Sequence, residues 1–175
     1  MTKYKKKSEH YVDNKEFLSA MIDYKSVCNK AEKAGKPSPP VTNYIGGCFL
    51  KIANHLSYRP NFINYTFRDD MISDGVENCL QYLNNFNPEK SKNPFAYFTQ
   101  IIYYAFIRRI QKEKKHVYIK YKSMEKSMVF GESYEGDNII ASTQVGEDVR
   151  GEFIKNYEKT LKEKREKTKR KKADE

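Results

Sequence analysis

The stretch that decides the fold is NPFAYFTQIIYYAFIRRIQKEKKH, residues 93–116. Its first half is apolar or aromatic at nearly every position, and its second half is basic. Side chains three or four residues apart predict one helix face that packs against other helices: Phe95, Phe98, Ile102, Phe106 and Ile110. A second series lies on a different face: Tyr97, Ile101, Tyr104 and Arg108.

Two interpretations of the second face stay open. In the first, the helix is buried on most sides and its tyrosine hydroxyls reach polar partners. In the second, the face is a platform on which unpaired bases stack while nearby cations hold the phosphates. Residues 108–126 contain eight Lys or Arg and two acids, and this density of cations favours the platform.

The rest of the chain predicts an all-α fold, a compact helical bundle with a flexible charged C-terminal tail. Helical spacing indicates helices over residues 14–34 and 42–57, and Thr66 with Asp69 resembles a capping box that opens a third. Asn93 suits the N-cap of the fourth helix, which we expect to end near residue 115. HVYIKY (116–121) alternates briefly and is the one expected extended piece. The predicted domains are an N-terminal helix and linker, a helical core, and an acidic loop with a basic tail: residues 1–40, 41–125 and 126–175.

Composition narrows the classes of function. The 175 residues carry a net charge of +10, which favours a polyanionic partner, nucleic acid before membrane. No run of about 18 apolar residues occurs, and no apolar segment follows the basic N-terminus, so we expect a cytoplasmic protein without a membrane span. Three scattered cysteines (Cys28, Cys48 and Cys79) indicate buried thiols rather than disulfides or zinc ligands. No nucleophile–base pair or phosphate-binding glycine loop is present in the sequence, so we predict neither enzyme activity nor a cofactor nor a metal.

Residues 153–175 contain ten Lys or Arg against five acids. Phe153, Ile154, Tyr157 and Leu161 are spaced for one short amphipathic helix. The segment is either a solvated tail or an electrostatic contact with DNA or an acidic protein.

Residues 69–110 resemble domain two of the bacterial primary sigma-factor family. DMISDG (70–75) is similar to the family's D-L-I-Q-E-G motif, and FNPEK (86–90) to its F-D-P-E-K turn. Residues 95–109 align without a gap with the aromatic helix that follows in that family. Over roughly residues 11–125, the chain is similar to the late-transcription sigma factors of T-even-type phages.

The resemblance implies a docking surface for the clamp coiled coil in the largest subunit of core RNA polymerase. The matching positions are Asp70, Ser73, Asp74, Val76 and Leu80. Asp70 and Asp74 are one helical turn apart and suit basic side chains across an interface. The alternative is that they are ordinary N-terminal acids favoured by the helix dipole.

The resemblance also implies contacts with promoter DNA, including the non-template strand. We assign promoter melting and base stacking to Phe95, Tyr97, Phe98, Ile101 and Ile102, and other DNA contacts to Tyr104, Arg108 and Arg109. The continuation of the second helix face adds Lys112 and Lys115 to the predicted DNA contacts. Phe98 matches the base-stacking tyrosine of the family. Ile101 and Ile102 replace paired tryptophans, which predicts weaker independent melting and a need for a phage coactivator. Tyr104 and Ala105 replace an arginine and a glutamine, which suggests an altered, AT-rich minus-ten-type element.

Two hypotheses of function follow. The first is a sigma-like transcription initiation factor for late genes, acting in the cytoplasm of an infected bacterial cell. The second is a basic helical DNA-binding or packaging protein without polymerase contact. In relatives, a hydrophobic and acidic tail binds the replication sliding clamp. The ending KRKKADE (169–175) has a different character, so the sequence does not predict that contact.

Overall fold

The computed structural model describes residues 11–129 and 144–173, and the side chains of residues 11–126 and 148–170. Within those residues the chain is helical and contains no strand, which confirms the all-α prediction. The helices are α1 (Asn14–Lys33), α2 (Asn43–Ser57), α3 (Arg68–Gln81), α4 (Pro94–Val129) and α5 (Gln144–Ala173), with a short 3-10 turn at Leu83–Asn85. The chain divides into two compact units, Met1–Ile110 and Gln111–Glu175, and the division falls within α4.

Three helices of the first unit begin where a side chain can cap the free backbone N–H groups. The Asp13 carboxylate accepts from the N–H groups of Lys15 (2.7 Å) and Glu16 (3.1 Å) at the start of α1. Thr42 caps α2. The Asn93 side-chain oxygen accepts from the N–H of Ala96 at 3.0 Å, which confirms the predicted cap of α4.

The predicted capping box at Thr66 was wrong. Helix α3 starts two residues later, at Arg68, with Phe67 as its N-cap and no hydrogen bond from a capping side chain. Phe67 packs against the core and lies 5.1 Å, centroid to centroid, from the Tyr65 ring. These two half-buried rings directly precede α3, and Thr66 lies one residue too early to be its N-cap.

The first unit has one aromatic core to which all four of its helices contribute. The ring centroid of Phe17 in α1 lies 6.0 Å from that of Phe49 in α2 and 5.7 Å from that of Phe98 in α4. All three rings are fully buried. Helix α1 thus belongs to the same core as the segment we assigned to residues 41–125. The two compact units divide after Ile110, whereas the sequence predicted boundaries at residues 40 and 125.

Helices α3 and α4 approach closely at Gly75. A Cβ atom placed there would lie 3.0 Å from Cγ2 of Ile102 and 3.1 Å from Cε1 of Phe106. The glycine of the sigma-like D-M-I-S-D-G motif therefore allows the two helices to pack, and Ile102 and Phe106 fill the space that its missing side chain leaves.

The second unit pairs the C-terminal part of α4 with α5. The rings of Tyr118 and Tyr157 stack at 4.6 Å, Tyr121 meets Phe153 edge-on at 5.5 Å, and Ile154 is buried. HVYIKY (116–121) is therefore helical, and the prediction of an extended piece was wrong. Its tyrosines are three residues apart, which places both on the helix face that contacts α5.

The C-terminal helix is longer than the one short helix predicted over residues 153–161. Residues 144–173 form a single helix, α5. The acidic loop was predicted at residues 131–152. Residues 131–143 of it lie outside the described residues, and residues 144–152 are helical and belong to α5, so for them the prediction of a loop was wrong.

Candidate functional site

The buried stripe of α4 follows the predicted spacing. Phe98, Ile102 and Phe106 are fully buried, Ile110 is nearly so, and Phe95 is half-buried against the core. The helix therefore packs through the face that the sequence indicated.

This packing corrects the assignment of Phe98 to base stacking. The rings of Phe49, Phe17 and Phe86 surround it, with centroid-to-centroid distances of 4.6, 5.7 and 5.8 Å. None of the surface of Phe98 is exposed. Removing this ring from its neighbours to meet a base would open the core. Ile102, likewise fully buried, packs on α3 at Gly75 and cannot act as an exposed wedge.

The other three residues assigned to melting are half-buried at the edge of the core: Phe95, Tyr97 and Ile101. The Tyr97 ring lies 5.3 Å from Phe86 and 5.1 Å from Phe98. Burial raises the pKa of its phenol, with a smaller contribution from Cys79. These three side chains are therefore only partly accessible to solvent.

The aromatic surface that α4 does expose is formed by Tyr103 and Tyr104. Their side chains are 39% and 52% exposed, and their ring centroids are 5.7 Å apart with the rings nearly perpendicular. The sequence analysis named Tyr104 as a DNA contact but did not single out Tyr103. The position of Tyr103 outside the buried stripe and next to Tyr104 was the available signal. Tyr103 also rests edge-on against the buried ring of Phe62 at 5.6 Å, which fixes its position.

The connection between α2 and α3 also exposes an aromatic side chain, which lies beside a cation. Tyr58 is 58% exposed, and the guanidinium carbon of Arg68 lies 4.7 Å from its ring centroid. Such a pair has the geometry of a cation–π contact. Phe62, from the same connection, is buried beside Tyr103 and Phe106, so the connection packs directly under the exposed tyrosine. Sequence reasoning treated this segment only as a loop.

The two arginines at the end of the first unit have different environments. Arg108 is exposed and donates to the Asn78 side-chain oxygen at 2.6 Å. Arg109 is mostly buried and forms ion pairs with Asp70 at 2.8 Å and Asp74 at 3.3 Å. Arg109 therefore ties α4 to α3, which differs from the DNA contact predicted for it.

Lys112 and Lys115 are exposed and belong to the second unit, whereas the aromatic pair belongs to the first. Among the predicted DNA contacts, the structure thus brings only Tyr104 and Arg108 to the exposed surface of the first unit. They are one helical turn apart on α4, so both side chains can face one ligand.

The exposed face of α3 holds most of the predicted polymerase-binding residues. Asp70, Ser73 and Leu80 are exposed, whereas Asp74 and Val76 are half-buried. Glu77, which sequence reasoning missed, is exposed and lies four residues after Ser73, on the same face. The opposite face, formed by Met71, Gly75 and Cys79, is buried. Helix α3 therefore presents an acidic surface that ends in an exposed leucine.

The cysteines have no reactive environment in the described residues. Cys48 and Cys79 are buried and Cys28 is half-buried, and none forms a disulfide. Burial raises the pKa of the Cys79 thiol to about 12. The described part of the chain contains no cluster of three or more His, Cys, Asp or Glu side chains able to hold a metal ion. Within the same residues, no helix has the length and apolar character needed to cross a membrane.

No protein-family model matches the chain. No curated protein matches it either.

Proposed function

We propose that the chain is a sigma-like transcription initiation factor. It binds core RNA polymerase through α3 and directs it to AT-rich late promoters by recognising and melting a minus-ten-type element. The observation that carries the proposal is the exposed face of α3, on which Asp70, Ser73, Glu77 and Leu80 lie together. They follow one another at spacings of three or four residues, so a single partner helix can contact all of them.

The chemistry of this face suits a basic helical partner such as the polymerase clamp coiled coil. Asp70 and Glu77 supply carboxylates for charge-assisted hydrogen bonds, and Leu80, 45% exposed, supplies apolar area to bury. Although Asp70 pairs with Arg109, its side chain is still 58% exposed. Arg109 then holds this carboxylate in place for an incoming cation.

The proposed DNA surface is the α4 region around Tyr104 and Arg108. An exposed ring can stack on an unpaired base, and the guanidinium one turn away can contact a phosphate. Phe98 and Ile102 have no part in this contact because they are core residues. Melting then depends on fewer exposed rings than in the primary family, which agrees with the proposed need for a coactivator.

The alternative, a basic DNA-binding or packaging protein without polymerase contact, has no use for an acidic and apolar face on α3. A pull-down with purified core RNA polymerase separates the two hypotheses. The sigma-like proposal expects a stable complex in the absence of DNA. Binding to DNA without a polymerase complex would support the alternative.

Replacing Tyr104 with alanine should weaken binding of an AT-rich single strand by the complex with core polymerase. Loss of one stacked ring costs about 1–3 kcal/mol, so we expect a loss of affinity of about 5- to 150-fold in fluorescence anisotropy. Tyr104→Phe keeps the ring and should restore most of the affinity. Tyr82→Ala removes a tyrosine of similar exposure (42%) from outside α4 and serves as the control. Equal affinities for Tyr104→Ala and the control would remove Tyr104 from the DNA surface.

A further inference from the structure

We infer that the cationic face of α5 is a second nucleic-acid surface, which binds the phosphates of duplex DNA irrespective of sequence. This surface lies within the second unit and uses none of the residues proposed to read the promoter. The inference therefore holds whether or not the chain binds polymerase.

Only the first half of α5 is committed to packing. Its buried or half-buried residues among those described end at Leu161. They include Ile154, which is 6% exposed, and Tyr157, whose ring stacks on Tyr118. Glu158 accepts a hydrogen bond from the Tyr118 hydroxyl at 3.0 Å and lies 3.6 Å from the ammonium of Lys122. These contacts fix the rotation of α5 about its own axis and so determine which residues face outward.

Every described residue from 162 to 170 is exposed, and none of them is apolar. Residues 155–170 contain eight Lys or Arg against three Glu. One of those acids, Glu158, is already engaged by Tyr118 and Lys122. Most of these cations therefore lie on the part of α5 that follows Leu161, beyond the contacts that α5 makes with α4.

Five of these cations recur at spacings of three or four residues and share one helix face: Lys155, Lys159, Lys162, Arg165 and Lys169. All five are exposed. At 1.5 Å per residue, the row is about 21 Å long. Glu158 and Glu166 lie on the same face by the same spacing and together lower its net charge by two.

Duplex DNA fits this surface better than a membrane surface or a single-stranded nucleic acid does. It carries one negative charge per about 1.7 Å of helix axis, so a straight row of about 21 Å passes close to several phosphates. A helix that lies on a membrane needs an apolar face, and residues 162–170 have none. Base stacking needs exposed aromatic rings, which this segment also lacks, so we expect no preference for sequence or for unpaired strands.

The test measures binding of the full-length chain, without polymerase, to a duplex that contains no AT-rich promoter. Lys162→Gln with Lys169→Gln removes two charges from the row. Lys164→Gln with Lys167→Gln removes two charges from the other side of the same helix and is the matched control. Glutamine is a good helix former, so both variants should keep their helicity, which circular dichroism checks.

For the row variant, the slope of log K against log salt concentration should fall in magnitude by about 1.8, which is about 0.9 for each phosphate that the variant no longer neutralises. The control variant should show less than half of this change. Glu166→Gln should raise affinity by about two- to fivefold, an increase that misfolding cannot produce. Equal changes for the two paired variants, or no increase from Glu166→Gln, would overturn the inference. So would unchanged DNA binding together with weaker binding to phosphatidylserine vesicles, which would assign the face to a membrane surface.

Discussion

Replacing Phe98 with alanine should lower the free energy of unfolding of the first unit by about 3–5 kcal/mol. The ring is fully buried among Phe17, Phe49 and Phe86. Its removal leaves a cavity, which could close only if the surrounding segments of the chain moved together. Urea denaturation followed by circular dichroism measures the loss. We expect it to be accompanied by weaker binding to every partner, because the unit as a whole becomes less stable.

Tyr104→Ala is the matched control for this experiment. Tyr104 also lies on α4 but is 52% exposed, so its replacement should change stability by no more than about 0.5 kcal/mol. A Phe98→Ala protein of normal stability that binds polymerase yet fails to open promoters would contradict the core assignment. That result would restore the base-stacking role implied by the resemblance to sigma factors.

Replacing Glu77 with lysine should weaken binding to core RNA polymerase by at least about tenfold, because the charge reversal places a cation against a basic partner surface. Glu77 is exposed at the centre of the α3 face and forms no ion pair within the described residues. The substitution should therefore leave folding intact. Asp70 is less suitable for this test because its replacement also breaks the ion pair with Arg109.

The control for Glu77→Lys is Glu32→Lys, which makes the same change in net charge at an exposed position of α1. Biolayer interferometry with immobilised core polymerase can compare the two. Equal weakening by both variants would mean that net charge, rather than the α3 face, governs binding. No weakening by either would remove α3 from the interface.

The sequence predicted the architecture of the first unit well where local chemistry determines it. The Asn93 cap and the apolar stripe from Phe95 to Ile110 each depend on nearby residues, and both are present. The stripe predicted burial of Phe98, whereas the motif resemblance implied that the same side chain is exposed to a base. Packing decided in favour of the stripe, because a phenylalanine surrounded by three other rings has no exposed face.

Features that depend on contacts between distant segments could not be predicted. The ion pairs of Arg109 require the rotation of α4 against α3, which follows from the close approach at Gly75. The exposure of Tyr103 depends similarly on Phe62, forty-one residues earlier in the chain.

The second unit shows the same limit. Residues 116–121 taken alone alternate like a strand, and α5 beyond Leu161 has nothing to bury. Tyr118 and Tyr157 determine the outcome by stacking across the two helices, a contact between residues thirty-nine positions apart. Helical continuity then extends α5 to Ala173.

In vitro transcription with purified core RNA polymerase tests the sigma-like proposal most directly. The template is a supercoiled plasmid in which an AT-rich minus-ten-type element is followed by a transcription terminator. Three reactions are compared: with the wild-type chain, with its Glu77→Lys variant, and with neither. The account predicts a discrete transcript that requires the wild-type chain and falls at least about tenfold with Glu77→Lys. The same assay is repeated across a set of such elements, with phage extract supplied as a source of coactivator. If the chain forms a complex with polymerase but no promoter-dependent transcript appears under any of these conditions, the proposal is contradicted.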